Sequence, residues 1–205
     1  MCIRDRIISA GGEAISICAD MSNGAEVESM AGTILEKWGR CDIVIHGASP
    51  SIKPIKAEET NYKDVGVYLE IYLKGAISLV NLFLPYMKDN QFGRFIFLGT
   101  SSLYATPPRG MAAYVSAKEA LWGYTKALSS EIAYNGITVN MVSPSLTITD
   151  LTNDIPARIK EVEAFKNPTR RLVTTIDIAS QVVHLCSEDS SYINGINLPI
   201  TATPV

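Results

Sequence analysis

Three side chains near the middle of the chain have the types and the spacing of an acid/base site. Tyr114 and Lys118 are four residues apart in a predicted helix and therefore share one face, and Ser101 lies in a polar turn 13 residues before Tyr114. A free phenol has a pKa of about 10, and a neighbouring ammonium lowers that value because it favours the phenolate. We therefore expect Ser101 to hold a carbonyl while Tyr114 donates a proton and a hydride donor completes the reduction; the reverse sequence oxidises an alcohol.

A purely structural explanation of the same residues stays open at this point. A Tyr-x-x-x-Lys pair arises readily by chance in a helix-rich chain with nine tyrosines. In that interpretation Tyr114 is a partly buried packing residue, Lys118 is exposed on the same helix, and Ser101 only forms a turn. The pair becomes specific through the order and context of the residues around it.

The predicted elements that would position these residues alternate between strands and helices. Apolar patterns predict strands over residues 14–20, 42–48, 94–98, 137–142 and 196–200, and helices over residues 23–38, 63–87, 111–135 and 175–187. Strands that are apolar throughout and alternate with helices predict a parallel sheet covered on both faces. The predicted fold class is therefore α/β, a doubly wound, Rossmann-like parallel sheet in a single domain. A ligand would lie at the carboxyl ends of the strands, and residues 146–167 are expected to form a loop that covers the substrate.

Composition and charge argue against several classes of function. The 205 residues are 47% hydrophobic and 19% charged, with a net charge of -3 and no basic stripe, which argues against a nucleic-acid partner. No apolar run reaches the ~18 to 20 residues that a membrane span needs, so no membrane partner is expected. The sequence has no Cys-x-x-Cys pair and no histidine at metal spacing, so no metal site is predicted. The cysteines are expected to be buried thiols of a cytoplasmic protein: Cys2, Cys18, Cys41 and Cys186.

Four parts of the chain, in the right order, resemble the short-chain dehydrogenase/reductase family, in particular its 3-oxoacyl-ACP-reductase-like members. They are Gly11–Ser22; Gly93–Ser101 with Ala113–Lys118; Asn140–Pro144 with Thr149; and Arg170–Leu172 with Asp177–Ala179, Leu185–Ser187 and Tyr192–Gly195. The resemblance implies an NAD(P)-dependent oxidoreductase that moves a hydride between a nicotinamide and a small-molecule carbonyl or alcohol. It also implies a homodimer or a homotetramer. NAD and NADP remain alternatives.

The resemblance assigns roles to individual residues. It implies that Tyr114 is the acid/base, that Lys118 lowers its pKa and binds the ribose, and that Ser101 orients the substrate. The residues implied to bind the cofactor are Asp20, Met21, His46, Gly47, Ala48, Tyr114, Lys118, Pro144, Thr147 and Thr149. A histidine at the end of a strand is more often a hydrogen-bonded structural residue, which is the preferred role for the His46 side chain.

The resemblance breaks at the start of the chain. The family's first β-α-β unit, whose glycine-rich turn holds the cofactor pyrophosphate, is not in the sequence, and residues 1–6 look like a non-native leader. Residues 1–205 are thus expected to form an incomplete, N-terminally truncated Rossmann domain. Such a chain is expected to bind a dinucleotide poorly and to be inactive as it stands.

Three further departures affect the site itself. The family's Asn-Asn-Ala-Gly is His46-Gly47-Ala48-Ser49 here, its Asn on the long helix is Tyr72, and its Pro-Gly is Pro144-Ser145. Tyr72 either offers its own hydroxyl or fills the space and slows turnover. Two alternatives therefore remain: a non-catalytic homologue that acts as a dimerising or cofactor-sensing module, and an epimerase or dehydratase with a tightly held NAD.

Overall fold

A computed structural model describes residues 3–203 and places a four-stranded parallel sheet at the centre of them. The strands are β1 (Ile43–His46), β2 (Gly93–Leu98), β3 (Ile137–Pro144) and β4 (Asn197–Ile200), and they lie side by side in the order of the sequence. The helices are α1 (Ile3–Ser9), α2 (Gly24–Trp38), α3 (Tyr62–Leu69), α4 (Gly75–Asp89), α5 (Ala112–Ile132), α6 (Ala157–Lys166) and α7 (Thr175–Cys186). A π turn, Glu70–Lys74, joins α3 to α4.

The sheet is covered by helices on both faces. On one face Phe95, Phe97, Val139 and Met141 pack against buried side chains of α2, α4 and α5. On the other face the buried residues of the sheet and of α7 form a second cluster: Ile96, Val142, Val182 and Leu185. Adjacent residues of a strand point to opposite faces, which is why both β2 and β3 contribute to both clusters. This arrangement confirms the predicted α/β, Rossmann-like class.

The sequence predicts one uninterrupted helix over residues 63–87. In the structure the helical stretch Tyr62–Asp89 is instead divided into α3 and α4 by the π turn. By length and composition this stretch, alone among the described residues, could cross a membrane, which the search for apolar runs did not predict. Its apolar side chains also have a place in the core, because Tyr68, Ala76, Phe83 and Met87 pack in the cluster beneath the sheet. The same composition is therefore accounted for by packing.

Local signals place most helix ends correctly. Asn23 is the N-cap of α2 and its side chain accepts a hydrogen bond from the Ala25 N–H, while Gly39 ends the helix in the left-handed conformation. The Glu26 carboxylate accepts from the Asp20 N–H rather than from the Asn23 N–H, so Asn23 and Glu26 form no reciprocal capping box. Thr174 and Asp177 form a complete capping box on α7.

Two predicted elements are wrong. Residues 14–20 form no strand and pair with none among residues 3–203, and a strand requires a partner for its N–H and C=O groups. Residues 157–166 of the predicted loop form α6, in which Ile159, Val162 and Phe165 stay exposed and no residue is buried.

The structure shows the exposure of three of the four cysteines and the conformation of part of the predicted leader. Cys18 is exposed, while Cys41 and Cys186 are partly buried, so the expectation of buried thiols is wrong for Cys18 and too strong for the other two. Cys2 lies outside the described residues. Residues 3–6 of the predicted leader lie in α1, which has no buried residue.

Candidate active site

The three predicted catalytic residues lie on α5 and on the turn at the carboxyl end of β2. Tyr114 and Lys118 occupy the first two turns of α5, and Ser101 begins the short 3₁₀ turn that follows β2. Lys118 is 5% exposed, whereas Ser101 and Tyr114 are partly exposed. A charged lysine is rarely buried to this degree in a protein. The alternative in which Lys118 is a solvated surface residue is therefore wrong.

The turn after β2 is tied to α5 through Thr100, which the sequence analysis did not select. The Thr100 side chain hydrogen-bonds with Tyr114 and also accepts from the Ser102 N–H at 3.3 Å. The Ser101 side chain makes no hydrogen bond within residues 3–203, and its backbone carbonyl accepts from the Tyr104 and Ala105 N–H groups. A role for Ser101 in holding substrate stays a prediction.

The Lys118 ammonium has two neighbours, and neither is a carboxylate. Its Nζ donates to the Leu98 carbonyl at 2.6 Å and lies 3.6 Å from the centre of the Tyr72 ring. In the described part of the chain it forms no ion pair. Burial lowers the pKa of Lys118 to about 7, because a charged group loses its hydration in this position.

The pKa of Tyr114 is raised in this geometry. Burial is the main cause, the hydrogen bond to Thr100 opposes it, and repulsion from Tyr68 adds to it. The Lys118 ammonium is directed to the Leu98 carbonyl and to the Tyr72 ring. That Lys118 lowers the pKa of Tyr114 stays a prediction.

Three tyrosine rings meet behind the Tyr114–Lys118 pair. Tyr68 and Tyr72 stack with their ring centres 5.9 Å apart, and Tyr114 meets them edge-on at 5.8 Å and 6.1 Å respectively. Tyr68 and Tyr72 are four residues apart, the same spacing as Tyr114 and Lys118, so the sequence contained a signal that both rings lie on one helix face. That this face meets α5 could not be read from spacing.

The positions that depart from the family pattern contact one another here. The Ser49 and Tyr72 hydroxyls are 2.6 Å apart, and Nε2 of His46 is 3.0 Å from the Ile71 carbonyl oxygen, next to Tyr72 in the chain. The His46 ring is 4% exposed and packs edge-on against Phe97. Burial lowers the pKa of His46, and the charge of Lys118 lowers it further, so the ring is held neutral. The His46 side chain therefore has the structural role preferred from the sequence.

The residues predicted to bind a cofactor lie in two groups. Met21 approaches the end of β1, since a side-chain carbon built on Gly75 would lie 3.5 Å from Met21 and 3.4 Å from His46. Asp20 is exposed, and its carboxylate accepts from the N–H and the hydroxyl of Ser22, which lowers the Asp20 pKa.

Gly47 and Ala48 follow β1 on the chain and form part of the first group. The second group consists of Pro144, at the end of β3, and of Thr147 and Thr149 beyond it. Thr147 is buried and donates to the Ser145 carbonyl, and the Thr149 N–H donates to Thr152. Contacts of either group with a cofactor stay predictions.

A cavity of about 360 Å³ lies elsewhere, between α7, the segment before it and the end of β4. Its walls include Asn167, Arg171, Asp177 and Leu198, and none of the three predicted catalytic residues lines it. The acid/base geometry therefore decides the candidate site, not the position of this cavity. Within residues 3–203 no group of three or more His, Cys, Asp or Glu side chains is arranged to hold a metal ion.

Comparisons with known proteins give matches over nearly the whole chain. The model of the family described as Enoyl-(Acyl carrier protein) reductase matches residues 4–202. The 3-oxoacyl-acyl-carrier-protein reductase FabG of Staphylococcus epidermidis is 30% identical over 193 residues, which cover 93% of this chain and 78% of the relative.

Two solved structures have the same fold. The NADPH-dependent reductase YwfH, involved in bacilysin biosynthesis, aligns with a TM-score of 0.87 at 24% identity over 97% of this chain and 80% of its own. The gluconate 5-dehydrogenase of Burkholderia cenocepacia, solved with NADP and tartrate, aligns with a TM-score of 0.88 at 19% identity over 98% of this chain and 78% of its own.

Proposed function

The chain belongs to the short-chain dehydrogenase/reductase family, and from that premise we propose that it is an NAD(P)-dependent oxidoreductase acting on a carbonyl or alcohol. The observation that carries the proposal is the buried ammonium of Lys118, with no carboxylate partner in the described chain, one helical turn from Tyr114. A buried cation without a counter-ion is costly, and such groups occur at functional sites more often than elsewhere. In a member of this family, a buried lysine ammonium beside a tyrosine would assist proton transfer during reduction of a carbonyl.

In the reduction direction Tyr114 is the proton donor. Ser101 donates a hydrogen bond to the substrate carbonyl oxygen and orients it. A reduced nicotinamide, when bound, supplies the hydride to the carbonyl carbon. The carbonyl oxygen takes the hydroxyl proton of Tyr114, the product alcohol leaves, and the Tyr114 phenolate recovers a proton from water. The Lys118 ammonium, on the same helix face, stabilises that phenolate.

The described residues fit one part of such a cofactor better than another. Lys118 has three N–H donors and uses one for Leu98, so a ribose hydroxyl is a suitable further partner. The pyrophosphate needs a glycine-rich turn between a strand and a helix, and residues 3–203 contain no such turn. We propose residues 1–205 as an incomplete cofactor-binding domain, cytoplasmic and assembled as a homodimer or homotetramer.

The first experiment measures nucleotide binding and turnover together. Binding of NADH and NADPH is measured by calorimetry, and reduction of a 3-oxoacyl thioester is followed through nicotinamide absorbance. Tyr114→Phe is expected to lower kcat by about 100-fold or more because the proton donor is lost. Tyr134→Phe, at a residue 76% exposed on the far end of the same helical region, is the matched control and is expected to retain activity.

Each result separates the functions that remain. Turnover that depends on Tyr114 supports the oxidoreductase. Binding of a nucleotide with no reduction of any carbonyl would favour the non-catalytic, cofactor-sensing homologue, for which the replacement at Tyr72 is the specific argument. A product isomerised or dehydrated with no net change in nicotinamide would identify the epimerase or dehydratase. If the chain binds neither nucleotide even when a first β-α-β unit with a glycine-rich turn is joined to it, the proposed activity is wrong for this chain.

A further inference from the structure

We propose that Tyr72 is a positioning residue for the reaction, and that its ring holds the Lys118 ammonium next to Tyr114 while Ser49 and His46 fix the ring. This inference rests on the proposed function and assigns a purpose to Tyr72, Ser49 and His46, which belong to two of the three departures from the family pattern.

The ammonium needs something other than a counter-ion to stay charged. Lys118 is 5% exposed and its Nζ donates to one carbonyl oxygen, that of Leu98. A carboxylate at this place would stabilise the ammonium but would also neutralise its field, and the ammonium would then stabilise a phenolate less. An aromatic face attracts a cation through its quadrupole and adds no net charge.

The Tyr72 ring is placed to act in this way. Its centre lies 3.6 Å from Nζ of Lys118, well inside the roughly 6 Å range of a cation–π contact. Tyr72 is 1% exposed, so water does not compete for the ammonium on that side. The chain contains a weaker contact of the same kind, with Lys126 Nζ at 5.2 Å from the Trp122 ring. The contact at Tyr72 is the closer and the better desolvated of the two.

The π turn and two hydrogen bonds fix the ring. In an α-helix the Gly75 N–H would donate to the Ile71 carbonyl, but in the π turn it donates to Glu70, five residues back. Nε2 of His46 lies 3.0 Å from the Ile71 carbonyl oxygen and satisfies it from the end of β1. The Ser49 hydroxyl, 2.6 Å from the Tyr72 hydroxyl, holds the other end of the side chain. Tyr68, four residues earlier in the chain, stacks on the Tyr72 ring.

The titratable groups around Lys118 are few and uncharged near neutral pH. His46 lies at the end of β1, Tyr68 and Tyr72 lie on the stretch from α3 into the π turn, and Tyr114 lies on the same helix as Lys118. Burial lowers the pKa of His46 and raises that of Tyr72 and Tyr114, so each favours its neutral form. The Tyr72 ring is therefore the group whose removal should change the acidity of Lys118 most.

The test measures the acidity of Lys118 directly, without cofactor or turnover. The chain is labelled with 13C at lysine Cε, the Lys118 signal is identified by its loss in Lys118→Arg, and its shift is followed against pH. Tyr72→Phe keeps the ring but loses the hydrogen bond to Ser49, so it is the reference against which the fluorinated residues are compared. Difluoro- and trifluorophenylalanine at position 72 keep the shape but weaken the quadrupole, and the acid dissociation constant of Lys118 should rise stepwise, by about tenfold at most.

The same fluorinated residues at Tyr68 are the matched control, since that ring stacks on Tyr72 and not on Lys118. They are expected to leave the Lys118 titration within about twofold. If trifluorophenylalanine at position 72 leaves the titration where Tyr72→Phe leaves it, the ring only fills space and the inference is wrong. Because the shape is preserved, a failure to fold does not confuse this result.

Turnover of the holoenzyme provides the second readout. In the fluorinated variants the limb of the kcat against pH profile that reports Lys118 should move to lower pH in step with the titration, while KM for the carbonyl stays unchanged. A profile that does not follow the titration would overturn the role in the reaction even if the contact exists. A wild-type chain that binds no nucleotide even when a first β-α-β unit with a glycine-rich turn is joined to it would refute the proposed function, and the titration would still decide the contact.

Discussion

Lys118 shows how much one residue can depend on its surroundings. Its position on a helix follows from the sequence, but its burial follows from the packing of α5 against the sheet and the π turn. Burial lowers its pKa from 10.5 to about 7, so the folded chain holds the Lys118 proton less tightly than the unfolded chain. At every pH below about 10 the charge of this residue therefore opposes folding.

Replacement of this lysine by an apolar residue should reveal that cost. Between pH 7 and 10.5 the unfolded chain keeps a proton on Lys118 that the folded chain releases, so stability rises with pH through this window, and below pH 7 the penalty is constant. Lys118→Met should therefore raise the free energy of unfolding more at pH 6 than at pH 10, with a difference on the order of 4 kcal/mol.

Denaturant unfolding at the two pH values measures this difference. Lys126→Met, at an exposed position of the same helix, is the control and is expected to change stability by less than about 0.5 kcal/mol at both pH values. Equal effects of Lys118→Met at pH 6 and pH 10 would mean that folding does not lower the pKa of Lys118.

At the level of elements, the turn between α5 and β3 connects the helix that carries Tyr114 and Lys118 to the sheet. The chain passes from the helix through a 3₁₀ turn, Ala133–Asn135, to Gly136 and directly into β3. Gly136 has φ of 70°, and a side-chain carbon there would collide with the carbonyl oxygen of Gln91. This glycine therefore meets two requirements, one of backbone conformation and one of space.

A pair of glycines separates those two requirements. Gly39 ends α2 with φ of 72°, and nothing lies within 4 Å of a side-chain carbon built on it. Gly39→Ala should cost about 1 kcal/mol, from the left-handed conformation alone. Gly136→Ala should cost about 3 kcal/mol or more, because the collision adds to the same strain. Thermal or urea unfolding of both variants measures the costs, and equal values would show that the Gln91 carbonyl moves away at little cost.

For the whole molecule, one buried guanidinium connects segments that pack on opposite faces of the sheet, near the amino end of β2. Arg94, 1% exposed, is the second residue of β2 and donates to the carbonyls of Gly93, Gly136 and Ser187, at 2.8 to 3.2 Å. It thereby joins β2 to the turn before β3 and to the end of α7. Its guanidinium also lies 4.3 Å from the centre of the Phe92 ring.

Arg94→Lys keeps the charge but not the planar arrangement of donors. A lysine ammonium cannot reach three carbonyls that lie on different elements, so buried acceptors would lose their partners. We expect a loss of about 2 to 4 kcal/mol in the free energy of unfolding, with little change in the isolated secondary structures. Arg40→Lys, at an exposed ion pair with Asp42, should cost less than about 0.5 kcal/mol. Similar losses in both variants would contradict the proposed role of Arg94.

The sequence by itself determined the elements whose signals are local. The strands β1 to β3, the helices α2 and α7 and the shared face of Tyr114 and Lys118 follow from periodicity, which depends only on neighbouring residues. The segment over residues 14–20 has the composition of a strand, yet a strand exists only when another pairs with it. The helix α6 buries no residue, and the spacing of its apolar side chains was not distinctive enough to predict it.

Tertiary structure alone decided the environment of the site. The ring over Lys118 comes from Tyr72 and the tie on Tyr114 from Thr100, two contacts between elements that are brought together by packing on the sheet. Acidity follows the same rule, because a pKa depends on the water and charges around a group and not on its neighbours in the chain. Sequence spacing placed Tyr114 beside Lys118, but only the fold directed the ammonium to an aromatic ring and raised the pKa of the phenol.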